Sequence, residues 1–124
     1  MAAGRSNIRL KRAYDPPSPE DGVRVLVDRL WPRGLAKSEA AIDRWLKEVA
    51  PSSELRRWFG HDPRKWNEFR RKYQVELSSR GDLLKELRLA AQKGPLTLVY
   101  SARDQEHNQA VVLRDVLEAT PPDV

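Results

Sequence analysis

Two apolar runs, Val23 to Val27 and Leu96 to Tyr100, have strand length and little polar alternation, whereas most other apolar residues recur at three- and four-residue intervals. Val23-Arg24-Val25-Leu26-Val27 is rich in β-branched residues and reads as a central strand. Leu96-Thr97-Leu98-Val99-Tyr100 reads as a strand covered on both faces by helices. Earlier, Ile8, Leu10 and Tyr14 fall on one side of an extended segment, the pattern of a sheet-edge strand. Three prolines and a glycine between Asp15 and Gly22 make the intervening stretch a loop.

Helical spacing fills most of the remainder. Ser38 is a good N-cap for a helix carrying Ile42, Trp45, Leu46 and Val49 and ending at Pro51. Leu55, Trp58 and Phe59 mark a short helix that stops at Gly60. Asp62 before Pro63 pairs an N-cap with a first helical residue, and Trp66, Phe69, Tyr73 and Leu77 line the face that follows. That helix pauses near Ser79-Arg80-Gly81, where Asp82 can cap a continuation through Leu83, Leu87 and Ala90 to Gly94. Asp104 opens a last helix whose stripe is Ala110, Leu113 and Leu117.

The order strand, strand, three or four helices, strand, helix predicts an α/β fold. The expected architecture is a short, mostly parallel sheet of about three strands covered by four to five helices, with the second and third strands parallel neighbours joined by a long helical crossover. Residues 1–124 are expected to form a single domain with its core at about 8–119 and a disordered tail at 120–124.

Composition narrows the function classes. With 33% charged and 40% hydrophobic residues, the balance is that of a soluble globular protein rather than a disordered or membrane one. No apolar stretch has the length of a membrane span, and Met1 to Asn7 lacks the features of a signal peptide, so a cytoplasmic location is the default. The absence of cysteine removes disulfides and thiolate chemistry. A net charge of +5 and a pI near 9.8 favour phosphates, acidic metabolites or nucleic acid as partners, and are equally those of a well-solvated basic surface. Most of the excess is arginine, whose planar fork grips phosphate or carboxylate with two hydrogen bonds.

Candidate chemistry gathers where the two strong strands end. Asp28-Arg29-Leu30-Trp31-Pro32-Arg33-Gly34 follows the first run and Arg103-Asp104-Gln105-Glu106-His107-Asn108 the second. In open α/β sheets ligands bind beyond the carboxyl ends of the strands, so the two clusters are expected to form one composite site with a preference for anions. Arg29, Arg33 and Arg103 would supply its cationic side, with Arg33 aimed by the flanking Pro32 and Gly34. Asp28 would orient one of them, or tie the two loops through an ion pair. Asp104 either caps the last helix or turns outward as a base or metal ligand. His107, on the first helical turn, would be kept neutral by the helix dipole and serve as base, donor or ligand, or else simply complete the turn. Asn108 would add an amide to the rim or lie at the surface. Trp31 borders the pocket.

Other features carry less. His61 and Asp62 read as a turn residue and a cap; a swing of His61 toward His107 would create a metal site, but nothing has the spacing of a zinc motif, so no metal is assigned. Four tryptophans interleaved with arginines invite a base-stacking platform, yet Trp45, Trp58 and Trp66 fall on apolar stripes and read as core. No P-loop, GxGxxG, GxSxG or HExxH pattern occurs.

The segments Asp28 to Gly34, Trp58-Phe59-Gly60-His61-Asp62, the W-x-x-F-x-x-x-Y spacing from Trp66 to Tyr73, and Tyr100-Ser101-Ala102-Arg103-Asp104-x-x-His107-Asn108 together resemble the YeaO-like proteins. These form a bacterial and archaeal family classed as a domain of unknown function, and the likeness runs from roughly Ile8 to Leu117. It implies no activity or cofactor to transfer. More distant relatives carry cysteine in the turn where this chain has Ser101 to Asn108, so any thiol chemistry of theirs does not extend here.

The leading expectation is a protein that binds a small phosphorylated or carboxylated ligand, for which a nucleotide is one fit, through Arg29, Arg33, Arg103, Asp28, Trp31 and Asn108. His107 and Asp104 would be its acid/base pair if it is an enzyme acting at a phosphate or glycosidic bond, although Ser101 and Tyr100 are the only nucleophiles in view. One alternative is a nucleic-acid-binding module using outer residues such as Arg70, Arg71 and Lys72. The other is a non-catalytic interaction protein whose charged rim only fixes the loops. The sequence names no cofactor.

Overall fold

The structure, a computed structural model, describes residues 7–119. The expected tail at 120–124 lies outside them. Four strands, β1 (Ile8–Arg12), β2 (Val23–Leu26), β3 (Arg44–Trp45) and β4 (Leu96–Tyr100), form one sheet in the order β1-β4-β2-β3. Every pairing is parallel, with Ile8 opposite Leu96, Val23 opposite Leu96 and Val25 opposite Arg44. The α/β reading holds, β1 is the expected edge, and the two strong apolar runs are parallel neighbours. β4, the most apolar segment, is buried along its whole length at the centre.

Five helices accompany the sheet: α1 (Lys37–Ala40), α2 (Ser53–Phe59), α3 (Trp66–Leu77), α4 (Gly81–Lys93) and α5 (Gln109–Glu118). Val25, Val27, Leu96, Leu98 and Tyr100 face one way, into a core with Phe59, Phe69, Tyr73, Leu87, Leu113 and Leu117 from α2 to α5. Leu26 and Val99 face the other way, under Trp31, Leu35, Ile42 and Trp45. The long helices therefore lie on one side only. The second face of β4, expected to be covered by helices, is roofed by the chain between β2 and β3, which carries only the single turn of α1.

Local signals account for most helix ends. The Ser52 hydroxyl accepts the Leu55 N–H at 3.1 Å to start α2, and Gly60 in the left-handed region (φ 53°) ends it. Asp62 caps a short 3-10 turn, Pro63–Lys65, that leads into α3. Two caps differ from expectation. Arg80, without a side-chain cap, precedes α4, so Asp82 sits inside the first turn, where the positive end of the helix favours a carboxylate. Asn108 rather than Asp104 caps α5, accepting the Val111 N–H at 3.2 Å.

The helix expected from Ser38 to Pro51 is replaced by α1, β3 and a 3-10 turn at Lys47–Val49. The cause lies on β2. Buried Arg24 donates from Nη2 to the Ala40 carbonyl (2.8 Å) and from Nε to the Ala41 carbonyl (3.0 Å), while Ala41 turns left-handed (φ 50°). Those acceptors no longer serve a following helical turn. The open edge of β2 then captures the chain: Asp43 donates its N–H to Arg24 and Leu46 to Leu26. Leu46 and Val49 still reach the interior, so the apolar spacing is satisfied without a helix.

Among the described residues no helix is long and apolar enough to cross a membrane.

Candidate functional site

After β2 the chain turns toward β3, and after β4 it runs into α5, which packs over β1 and β4. These departures in opposite directions leave a crevice beyond the carboxyl ends of two adjacent parallel strands, where α/β sheets place their ligands. A cavity of about 310 Å³ occupies it. The segments after the two strong apolar runs thus meet in space, as their positions in the sequence predict.

Asp28 forms the seam. Its Oδ2 accepts the Ser101 backbone N–H at 2.9 Å and its Oδ1 accepts the Gln109 side-chain amide. It ties the two loops as expected, but through neutral donors; no Lys or Arg pairs with it among the described residues. Burial pushes its carboxyl above the ordinary value, and the hydrogen bonds from Ser101 and Gln109 only partly oppose this.

Arg29 lines the cavity but is partly committed, with Nε on the Pro51 carbonyl (3.0 Å) and Nη2 on the Ala50 carbonyl (3.4 Å). Arg33 lines it with its side chain exposed. Its backbone is pinned by a hydrogen bond from the Tyr14 hydroxyl to its carbonyl at 2.9 Å, and Gly34 next to it takes φ 77°, the unusual angle expected there. Trp31 borders the cavity, donating to the Leu35 carbonyl and meeting Trp45 edge-on at 5.4 Å between centroids.

The segment after β4 is arranged differently from expectation. Asp104 Oδ1 accepts the N–H groups of Glu106 and His107, both at 2.9 Å, and Oδ2 lies 2.9 Å from His107 Nδ1. These donors, the Glu106 N–H foremost, hold its carboxyl below the usual range. Asp104 closes a turn ahead of the helix and is not part of the cavity wall. His107 is in the wall but precedes α5 rather than riding on its first turn, and its ring stands edge-on to Trp66 at 5.2 Å. Asn108 is buried, not at the surface, and spends its side chain on the cap and on the Asp104 carbonyl (2.9 Å). Arg103 is exposed and outside the wall, so it does not join Arg29 and Arg33.

Two wall residues, Arg56 and Gln109, lie outside the sequence expectation, and a third, His61, is expected mainly as a turn residue. Arg56 comes from α2, His61 from the turn behind it, and Gln109 from the first position of α5. His61 takes φ 58°, a left-handed angle uncommon outside glycine, directly after left-handed Gly60. The Trp58-Phe59-Gly60-His61-Asp62 motif was the available signal, since two successive left-handed residues throw the His61 ring back toward the sheet. Among the described residues no three His, Asp or Glu side chains come together as a metal-holding group, and the two histidines share the cavity wall. Trp58, considered as a stacking surface, lies beneath Lys65 and Lys72, whose Nζ atoms are 5.0 and 4.7 Å from its ring centroid.

Comparison with known proteins places the chain in a wider group. The uncharacterised protein YeaO of Escherichia coli is 47% identical over 91% of this chain and 98% of its own length. The uncharacterised protein Rv3073c of Mycobacterium tuberculosis is 40% identical over 90% of this chain and 94% of its own. No solved structure matches. Residues 7–121 match the family described as the inactive DUF488-N3 subclade, and with these relatives the chain belongs to the YeaO-like family of domains of unknown function.

Proposed function

We propose that this protein holds a small anionic ligand, carrying a phosphate or carboxylate, in the cavity at the carboxyl ends of β2 and β4. One observation carries the reading: Arg33 and Arg56 arrive from separate elements at the same cavity, and neither guanidinium has a carboxylate partner among the described residues. Side chains that ordinarily neutralise themselves on nearby acids are left free to grip an oxyanion. Arg29 adds a third, partly committed cation, and the cavity volume sits at the low end of small-molecule pockets. The description of the matched family as inactive supports holding rather than turnover. The cations over Trp58 weigh against a base-stacking surface, because they cover the ring that a base would need.

A thermal-shift comparison of wild type, Arg33→Ala, Arg56→Ala and Arg103→Ala against nucleotides, sugar phosphates, carboxylates and short RNA tests this. A ligand at a hundred times its Kd stabilises the fold by about 2.7 kcal/mol, a shift of several degrees at this size. The expected result is a shift from a small anion that survives moderate salt, falls in Arg33→Ala and Arg56→Ala, and persists in Arg103→Ala. A shift from RNA alone that salt abolishes, or none from any small anion, would overturn the reading.

A further inference from the structure

The two ends of the cavity differ in hydrogen-bonding character. Its exposed rim carries the Arg33 and Arg56 guanidiniums beside the His61 ring, with the uncommitted nitrogen of Arg29 as a further donor. Its floor is acceptors. Asp28 receives the Ser101 N–H and hydroxyl and the Gln109 amide, and a carboxylate offers about four lone-pair sites, so one remains. Gln109 spends its amide nitrogen on Asp28 and the Val27 carbonyl, which leaves its oxygen without a donor. His107 turns Nδ1 to the Asp104 carboxylate at 2.9 Å, and its ring lies in the cavity wall.

A bare oxyanion matches the rim and is repelled by the floor. An ammonium matches the floor and is repelled by the rim. A flat base finds less to stack on, since Phe59 and Phe69 stack on each other at 4.2 Å and Trp31 is engaged edge-on with Trp45. Hydroxyl groups remain: uncharged donors, several on one small skeleton, joined to an anion.

We infer that the ligand is a polyhydroxylated anion, a sugar or polyol phosphate, whose anionic group meets the arginines while its hydroxyls donate to Asp28 and Gln109. This rests on the anion-binding reading and names the ligand class for the same site. The raised Asp28 carboxyl fits a group shielded from water and waiting for a donor.

Isothermal titration of the wild-type protein with ribose 5-phosphate, propyl phosphate and inorganic phosphate decides it. Ribose 5-phosphate is expected to bind at least about tenfold tighter than propyl phosphate, which has the same anion on a carbon chain without hydroxyls; a few added hydrogen bonds suffice for that ratio. In Asp28→Asn the preference for ribose 5-phosphate over propyl phosphate should shrink toward unity. Equal affinity for the two esters in wild type would overturn the hydroxyl assignment and leave the anion site standing. Failure of all three to bind would overturn both. If Asp28→Asn does not fold, the ratio in wild type still gives the answer.

Discussion

Asp28 Oδ2 accepts the Ser101 backbone N–H at 2.9 Å across 73 positions of sequence, so one carboxylate fixes the spacing of the two strand ends that bound the cavity. Burial raises that carboxyl above 3.8, so the folded chain takes up its proton at a higher pH than the unfolded chain does. Its contribution to stability is fully present below the unfolded value and is lost as pH rises through the folded one. Asp28→Asn abolishes this titration. Urea midpoints between about pH 3 and about pH 7 should therefore shift in favour of the variant, relative to wild type, as pH rises. A constant difference across the range would contradict the assignment.

Asp21 is the opposite case. Burial raises its carboxyl, but hydrogen bonds from the Ser18 N–H, Lys11 and Arg24 outweigh it and bring the value down. Arg24 Nη1 sits 2.6 Å from Asp21 Oδ2 with both side chains almost fully enclosed. Arg24→Ala takes the more deeply buried of two cations from Asp21, which keeps Lys11 and the Ser18 N–H, and leaves the carbonyls of Ala40 and Ala41 without their donor, and should cost about 3 kcal/mol or more. Calorimetry should show a melting drop of roughly 10 °C or more. In wild type the Asp21 contribution is present above its unfolded value and disappears as pH falls through the folded one, so acid unfolding is expected to begin at this cluster.

Gly22 leaves no room for a side chain. A Cβ there would stand 2.1 Å from the Pro95 carbonyl oxygen, at φ 65°. Both partners are backbone, so neither yields without breaking the join of β2 to β4. Gly22→Ala should cost more than about 3 kcal/mol, or prevent folding altogether. A soluble variant with an unchanged melting temperature would refute the packing at this point.

His61 separates function from stability. Its left-handed backbone costs an ordinary side chain about 1 to 2 kcal/mol that glycine does not pay. His61→Gly should be more stable than His61→Ala by about 1 kcal/mol, read from denaturant midpoints. Both should weaken anion binding to a similar degree, because both remove the same ring from the cavity wall. Affinity tracking stability across the pair would make the residue merely structural.

Where the chain announces itself locally, the fold was legible. The stripe Trp66, Phe69, Tyr73 and Leu77, the break at Gly60 and the apolar run of β4 each depend on neighbours within a turn or a strand. Ile42, Trp45, Leu46 and Val49 misled because their spacing is helical while their backbone answers to Arg24 and the open edge of β2, some twenty positions away. A two-residue strand such as β3 has no period to read. At the site, Asp28, Arg29, Trp31, Arg33, His107 and Asn108 do converge, since each follows a recognisable strand. Arg103 and Asp104 do not line the cavity, because α5 starts only at Gln109 and both belong to the turn ahead of its Asn108 cap. Arg56 reaches the wall through the packing of α2, a relationship no local pattern encodes, whereas His61 is turned there by the local pair of left-handed residues Gly60 and His61.

β4 is the centre of the sheet and the last strand to leave the ribosome. β1 and β2 do not pair with each other; each pairs with β4. Until Leu96 to Tyr100 emerge, both earlier strands carry an open edge, and Asp28 has neither Ser101 nor Gln109 to hold. The join of β1 to the rest of the sheet and the closure of the cavity are consequently late steps of biosynthesis, and a chain halted before residue 96 would present an unpaired β1 and the open edge of β2 to chaperones and proteases.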